Sequence, residues 1–124
     1  MIKEGDKFMK AKVVEKHLGE GIFPNFAKGT PVKITGKCTH YLNWCPCEIE
    51  GYSTYIPNIF VENGILTRDY NPTELVQDKN DVIEVIEIVY AWLVAKNADG
   101  KIGWIPAEKV ISICEQGSQK AGEF

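Results

Sequence analysis

Trp44 to Val61 reads W-C-P-C-E-I-E-G-Y-S-T-Y-I-P-N-I-F-V, and Trp92 to Val110 reads W-L-V-A-K-N-A-D-G-K-I-G-W-I-P-A-E-K-V. Each stretch runs Trp, short strand, Gly-containing turn, aromatic, Ile-Pro, three residues, Val. The distance from Trp to Ile-Pro differs by one residue, which a hairpin turn absorbs. Self-similarity of this kind outranks local readings, because it makes the chain two copies of one small fold. Neither copy carries a catalytic constellation, so the pattern points to a binding module.

The 124 residues carry a net charge of −3, with 44% apolar and 25% charged side chains. That is the composition of an ordinary globular chain. Length alone makes one domain the default. Two domains of roughly 60 residues each bury only about 60% of their unfolded surface and are marginal alone. No basic block is present, which argues against a nucleic-acid partner. No apolar run approaches the roughly 18 residues that would argue for a membrane span. Met-Ile-Lys-Glu-Gly-Asp-Lys at the start lacks the apolar core of a secretory signal, so the expected compartment is cytoplasmic.

Working outward from the repeat, the alternation predicts an all-β chain with no helix. Lys12 to Glu15 is a first strand, and the Gly-containing stretch from Glu15 to Gly29 is a long loop. Thr30 to Gly36 alternates with Val32 and Ile34 inward. Tyr41 to Ile49 and Ser53 to Ile56 form a hairpin about Glu50-Gly51. Leu66 to Tyr70 opens the second copy, Val82 to Glu87 is a strand, and Ala98-Asp99-Gly100 turns a second hairpin. The expected division is residues 1–62, residues 65–113 and a disordered tail over 114–124. Glu62-Asn63-Gly64 is then a linker too short for independent tumbling. Ile88-Val89-Tyr90-Ala91 is an apolar loop, which marks an interface: with the neighbouring copy, or as runner-up with a second chain in a homodimer.

In the second copy, Leu66-Thr67-Arg68-Asp69-Tyr70, Glu74-Leu75, Val82 to Ile86 and Trp92 to Pro106 follow one another in order. This series resembles an SH3 domain, the first segment standing where that family has A-L-Y-D-Y. Residues 65–113 carry the resemblance, and residues 11–61 carry a weaker one through Phe26-Ala27-Lys28-Gly29, Trp44, Tyr55-Ile56-Pro57 and Val61. It implies two small SH3-like β-barrels in tandem, acting as a non-enzymatic binding or scaffold module. The family's ligands are extended Pro-rich peptides, already close to polyproline II and therefore cheap to order. Carried over by position, Tyr70, Trp92 and Pro106 line the groove of the second copy, with Glu74 and Asp78 as acidic partners. Trp44, Pro57 and Phe60 line that of the first. Arg68 and Lys109 stand where two groove aromatics would be. The resemblance therefore implies weak binding, Kd ~10 μM or weaker, to Pro-rich peptides and better binding to acidic-apolar segments.

Cys38, His40, Cys45 and Cys47 make a C-x-H-x₄-C-x-C cluster whose residue types suit tetrahedral zinc. The spacing is not the C-x₂₋₄-C of usual zinc knuckles. The competing reading is buried, reduced thiols without a cofactor, with Cys47 at the small core position that Ala95 fills in the second copy. Cys45 and Cys47 share a strand face and are a poor disulfide pair. A thiol enzyme would need a base in a cleft, and only His17 and His40 are available, His17 being read as a solvated loop residue. Trp44 and Trp92 are expected to expose a ring face, and Trp104 to be structural. A structural or zinc-binding assembly protein and a cell-wall-binding module remain the alternatives.

Overall fold

The computed structural model describes residues 9–19, 21–37 and 43–113. Among these there are ten strands, two single-turn 3₁₀ segments and no α-helix. The strands are β1 (Met9–Val13), β2 (Lys33–Ile34), β3 (Trp44–Ile49), β4 (Tyr52–Pro57), β5 (Val61–Glu62), β6 (Ile65–Leu66), β7 (Val82–Val89), β8 (Trp92–Lys96), β9 (Ile102–Pro106) and β10 (Val110–Ile113). The 3₁₀ turns are Asn58–Phe60 and Ala107–Lys109. The expected tail over 114–124 lies outside the described residues, as do Cys38, His40, Tyr41 and Cys114.

The chain divides into two compact units. One, here the split unit, joins Met1–Gly21 to Glu74–Phe124, and the other, the inserted unit, is Ile22–Thr73. The expected division at residues 62–65 is not where the contacts part. The split unit holds a five-stranded sheet in the order β10-β1-β7-β8-β9, every neighbouring pair antiparallel. The inserted unit holds a β2-β3-β4 sheet and a β5-β6 ribbon.

Period-two burial explains the strands. In β1, Ala11 and Val13 are fully buried between half-buried Lys10 and Lys12. In β7, Ile83 and Val85 face the core until a bulge between Val85 and Glu87 shifts the register. Leu93, Ala95 and Ile105 close that core from β8 and β9. Val32, Cys47, Ile49, Ile56, Phe60 and Leu66 are buried in the inserted unit. Ile34, expected inward, is exposed on the outermost strand of its sheet.

The two units share several strand pairings. Trp44 pairs with Pro57 as Trp92 pairs with Pro106, and Cys47 with Ile34 as Ala95 with Val85. Even the cross-strand charge pair recurs with its signs reversed, Lys33 opposite Glu48 and Glu84 opposite Lys96. Pro57 and Pro106 enter their 3₁₀ turns at φ/ψ of −64/136 and −65/138.

What differs from expectation is where β1 and β6 pair. β1 pairs with β7 and β10, not with the strands that follow it in the first half. β6, read as the start of the second copy, pairs with β5. Asn63 and Gly64 are the reason. Their φ values of 54° and 78° make a two-residue turn with both central residues left-handed, the geometry that matches hairpin twist. The segment expected to link two domains is a hairpin turn inside one unit.

Candidate functional site

In the inserted unit, Trp44 and Pro57 face each other across β3 and β4, and Phe60 follows in the 3₁₀ turn. Tyr70 reaches them from the arm after β6, held by paired backbone hydrogen bonds with Phe26 (2.8 Å each way). Its ring meets Phe60 edge to face at 5.5 Å, and its hydroxyl donates to the Tyr55 carbonyl at 2.6 Å. The Arg68 guanidinium lies 4.3 Å from the Phe60 ring centre, a cation–π contact. Tyr52 packs edgewise on Phe23 and Phe26, with centroids 5.9 and 5.7 Å away.

The split unit has the same frame and different chemistry. Trp92 and Pro106 face each other across β8 and β9. The position matching Tyr70 is His17, held by paired backbone hydrogen bonds with Gln77 (2.9 and 3.0 Å). His17 Nε2 lies 2.8 Å from Glu74 Oε1, Lys109 Nζ lies 3.1 Å from His17 Nδ1, and the imidazole meets Trp92 edge to face at 5.9 Å. An ammonium only donates, so Nδ1 accepts from Lys109 and the Nε2–H donates to Glu74. Lys109 Nζ also donates to the Lys16 carbonyl at 3.3 Å. Gly19 lets the arm pass Glu74: a Cβ there would sit 3.3 Å from the Glu74 Cβ, at a φ of +74°.

Several expected placements change. Tyr70, expected with Trp92, Pro106 and Glu74, belongs to the unit of Trp44, Pro57 and Phe60, because β6 and the arm that follows it stay with β5. Arg68 and Lys109 likewise belong to different units. Trp44 and Trp92, expected to expose a ring face, are 5% and 7% exposed, and Phe60, Tyr70, Pro57 and Pro106 are buried too. Trp104 is buried, as a structural residue should be, and the Leu75 amide donates to its carbonyl at 2.8 Å. His17 is not solvated but 7% exposed. Asp78 lies 3.9 Å from Lys16, both largely exposed, a pair worth little.

The metal reading also comes apart. Cys45 is disulfide-bonded and Cys47 is free and buried, so the two cannot serve as thiolates of one zinc site. Among the described residues no group of three or more potential ligands stands together. Cys38 and His40 lie outside them. Burial pushes the Cys47 thiol up to about 12, which leaves it protonated and unreactive at neutral pH.

Sequence reasoning missed the role of His17. The signal was an alignment of Ala11–His17 with Gly64–Tyr70, which sets Val13 against Leu66 and His17 against Tyr70.

No curated protein and no solved structure matches this chain. Residues 69–107 match the family model of the SH3 domain, beginning in the arm of the inserted unit and ending in the 3₁₀ turn of the split unit.

Proposed function

We propose that this chain is a non-enzymatic binding or scaffold module, a pair of SH3-like barrels that takes an extended peptide or protein segment on the inserted unit. The observation that carries the reading is the SH3 match over residues 69–107, since that family implies a peptide-binding adaptor role. The inserted unit is favoured because Trp44, Pro57, Phe60 and Tyr70 share it. Tyr55, on the same strand face as Pro57, keeps 42% of its surface open beside them. The rings beneath are closed, so a ligand proline meets edges rather than slots. That supports weak binding, Kd ~10 μM or weaker, with few anchors to offset the cost of association. An acidic residue on the ligand would approach the exposed Arg68 and add to the binding.

The test is a titration of the isotope-labelled chain with Pro-rich and acidic-apolar peptides, followed by amide shifts. Shifts should cluster at Ser53–Tyr55 and Arg68, and Tyr55→Ala should weaken binding at least about fivefold while circular dichroism stays unchanged. Shifts confined to the split unit, or a Tyr55→Ala variant of unaltered affinity, would sink this assignment.

The Cys45 disulfide favours a second reading, a wall-binding module of an oxidising compartment, because reduced cytoplasm rarely keeps such bonds. Sedimentation with purified peptidoglycan separates the two: retention of the oxidised chain supports the second, and its absence leaves peptide binding alone.

A further inference from the structure

Each unit is completed by an arm that the simple tandem order would give to the other. The N-terminal arm, residues 11–17, docks in the split unit, and the central arm, residues 64–70, docks in the inserted one. Their registers coincide: Val13 faces Val110 as Leu66 faces Val61, and Lys12 faces Ile111 as Ile65 faces Glu62. The arms are therefore equivalent parts of the repeat in exchanged places.

We infer that this chain is an internally arm-exchanged repeat, in which the Asn63-Gly64 turn and the side chains at positions 13, 17, 66 and 70 decide which arm docks where. The turn acts through length. Two residues between strands allow only an antiparallel hairpin, so Ile65 and Leu66 must pair with Val61 and Glu62. The side chains act through fit. In the direct arrangement His17 would be buried against Phe60, with neither Glu74 nor Lys109 within reach of its nitrogens. Tyr70 would meet Lys109 where that ammonium has the imidazole acceptor. Val13 in place of Leu66 would leave a void, and Leu66 in place of Val13 would overfill a fully buried position. All four changes favour the exchanged form.

The test separates the two causes. A flexible insert of about eight Gly and Ser residues between Asn63 and Gly64 frees the central arm without altering either docking site, since its root-mean-square reach is roughly 15 Å. Nuclear Overhauser contacts then report where the N-terminal arm lies: Lys12 with Ile111 when exchanged, Lys12 with Glu62 when direct. With the insert alone the Lys12–Ile111 contact should persist. With the insert and Val13→Leu, His17→Tyr, Leu66→Val and Tyr70→His together, it should give way to Lys12–Glu62. Movement with the insert alone, or no movement in the combined variant, overturns the inference. Should the combined variant not fold, the uninterrupted chain still decides. His17→Tyr should lower the denaturation midpoint, and His17→Tyr with Lys109→Phe, which rebuilds the Tyr70–Phe60 pair in the split unit, should recover at least half of the loss. No recovery overturns it.

Discussion

The two units set different chemistry on one backbone frame. Tyr70, Phe60, Trp44 and Pro57 in the inserted unit stand at the register positions of His17, Lys109, Trp92 and Pro106 in the split unit. One set is aromatic, with a hydroxyl donating to a carbonyl; the other is a carboxylate–imidazole–ammonium chain against a single indole. Backbone pairing is indifferent to the change, because the arms are held by main-chain hydrogen bonds at Tyr70 and His17 alike. Register thus defines where a site is, and side chains define what it can hold. An SH3 likeness read from the frame alone says little about the split unit's ligand.

The sharpest way to break the comparison is to delete its shared element. Trp92→Ala and Trp44→Ala should each lower stability by about 3–5 kcal/mol, because both rings are buried. Urea unfolding checks this. A loss under about 1 kcal/mol for Trp92→Ala would return its ring to the surface and restore the open groove the sequence suggested.

The small core position comes next. Cys47 and Ala95 occupy it in the two units, both fully enclosed. Cys47→Ser buries a hydroxyl where the thiol sat and should cost about 1–3 kcal/mol. The thiol itself should resist alkylation in the native state at pH 8, since burial holds it up to about 12. The sign of its pH dependence follows. The folded pKa lies above the unfolded one, so its contribution is intact below pH 9, the thiol's ordinary value, and is lost as pH rises through about 12. Fast native-state labelling would contradict the burial.

The match of Cys47 with Ala95 was legible in the sequence because the repeat from Trp to Ile-Pro is local: strand, turn, strand and 3₁₀ turn follow within one stretch. The strand exchange was legible only in part. Asn63-Gly64 is a strong hairpin signal, yet read as a linker it hides the pairing of Ile65 and Leu66 with the strand before them. The order of the SH3 family pulls the same way, placing Leu66 to Tyr70 at the head of the second copy. His17 was lost with it, since a histidine between a Lys and a Gly-containing loop looks solvated until Glu74 and Lys109, far away in sequence, are brought to its ring. The zinc reading meets a related obstacle: residue types fit, but the pairing of Cys45 in a disulfide is a fact that ligand spacing does not carry.

A smaller effect sharpens the contrast between the arm tips. Tyr70→Phe removes the 2.6 Å hydrogen bond to the Tyr55 carbonyl and leaves the ring packing on Phe60, so it should cost about 1 kcal/mol. His17→Phe strips two partners at once and should cost more, about 1–3 kcal/mol, as Lys109 loses its acceptor and Glu74 its donor. Equal losses in urea titrations would mean that the polar chain adds nothing beyond its packing.

The smallest expected effect concerns the hairpin turns. Glu50-Gly51 and Asn63-Gly64 each place glycine at the second left-handed position, with φ of 86° and 78°. Tyr90-Ala91, joining β7 to β8, puts alanine there at 71°. An L side chain in that region crowds the following carbonyl by roughly 1 kcal/mol or more, whereas glycine enters it freely. Ala91 is exposed, so its methyl adds little burial to set against the strain. Its carbonyl accepts from the Ala107 amide at 2.9 Å, a bond that glycine keeps. Ala91→Gly should therefore relieve the turn, but it also frees the unfolded chain, which takes back about 0.4–1 kcal/mol. The net gain should be a few tenths of a kcal/mol, read as a slightly higher urea midpoint at unchanged slope. A midpoint that falls instead would mean that the alanine methyl fixes the Tyr90-Ala91 turn, and that this hairpin, unlike the one at Glu50-Gly51, is held by packing rather than by backbone preference.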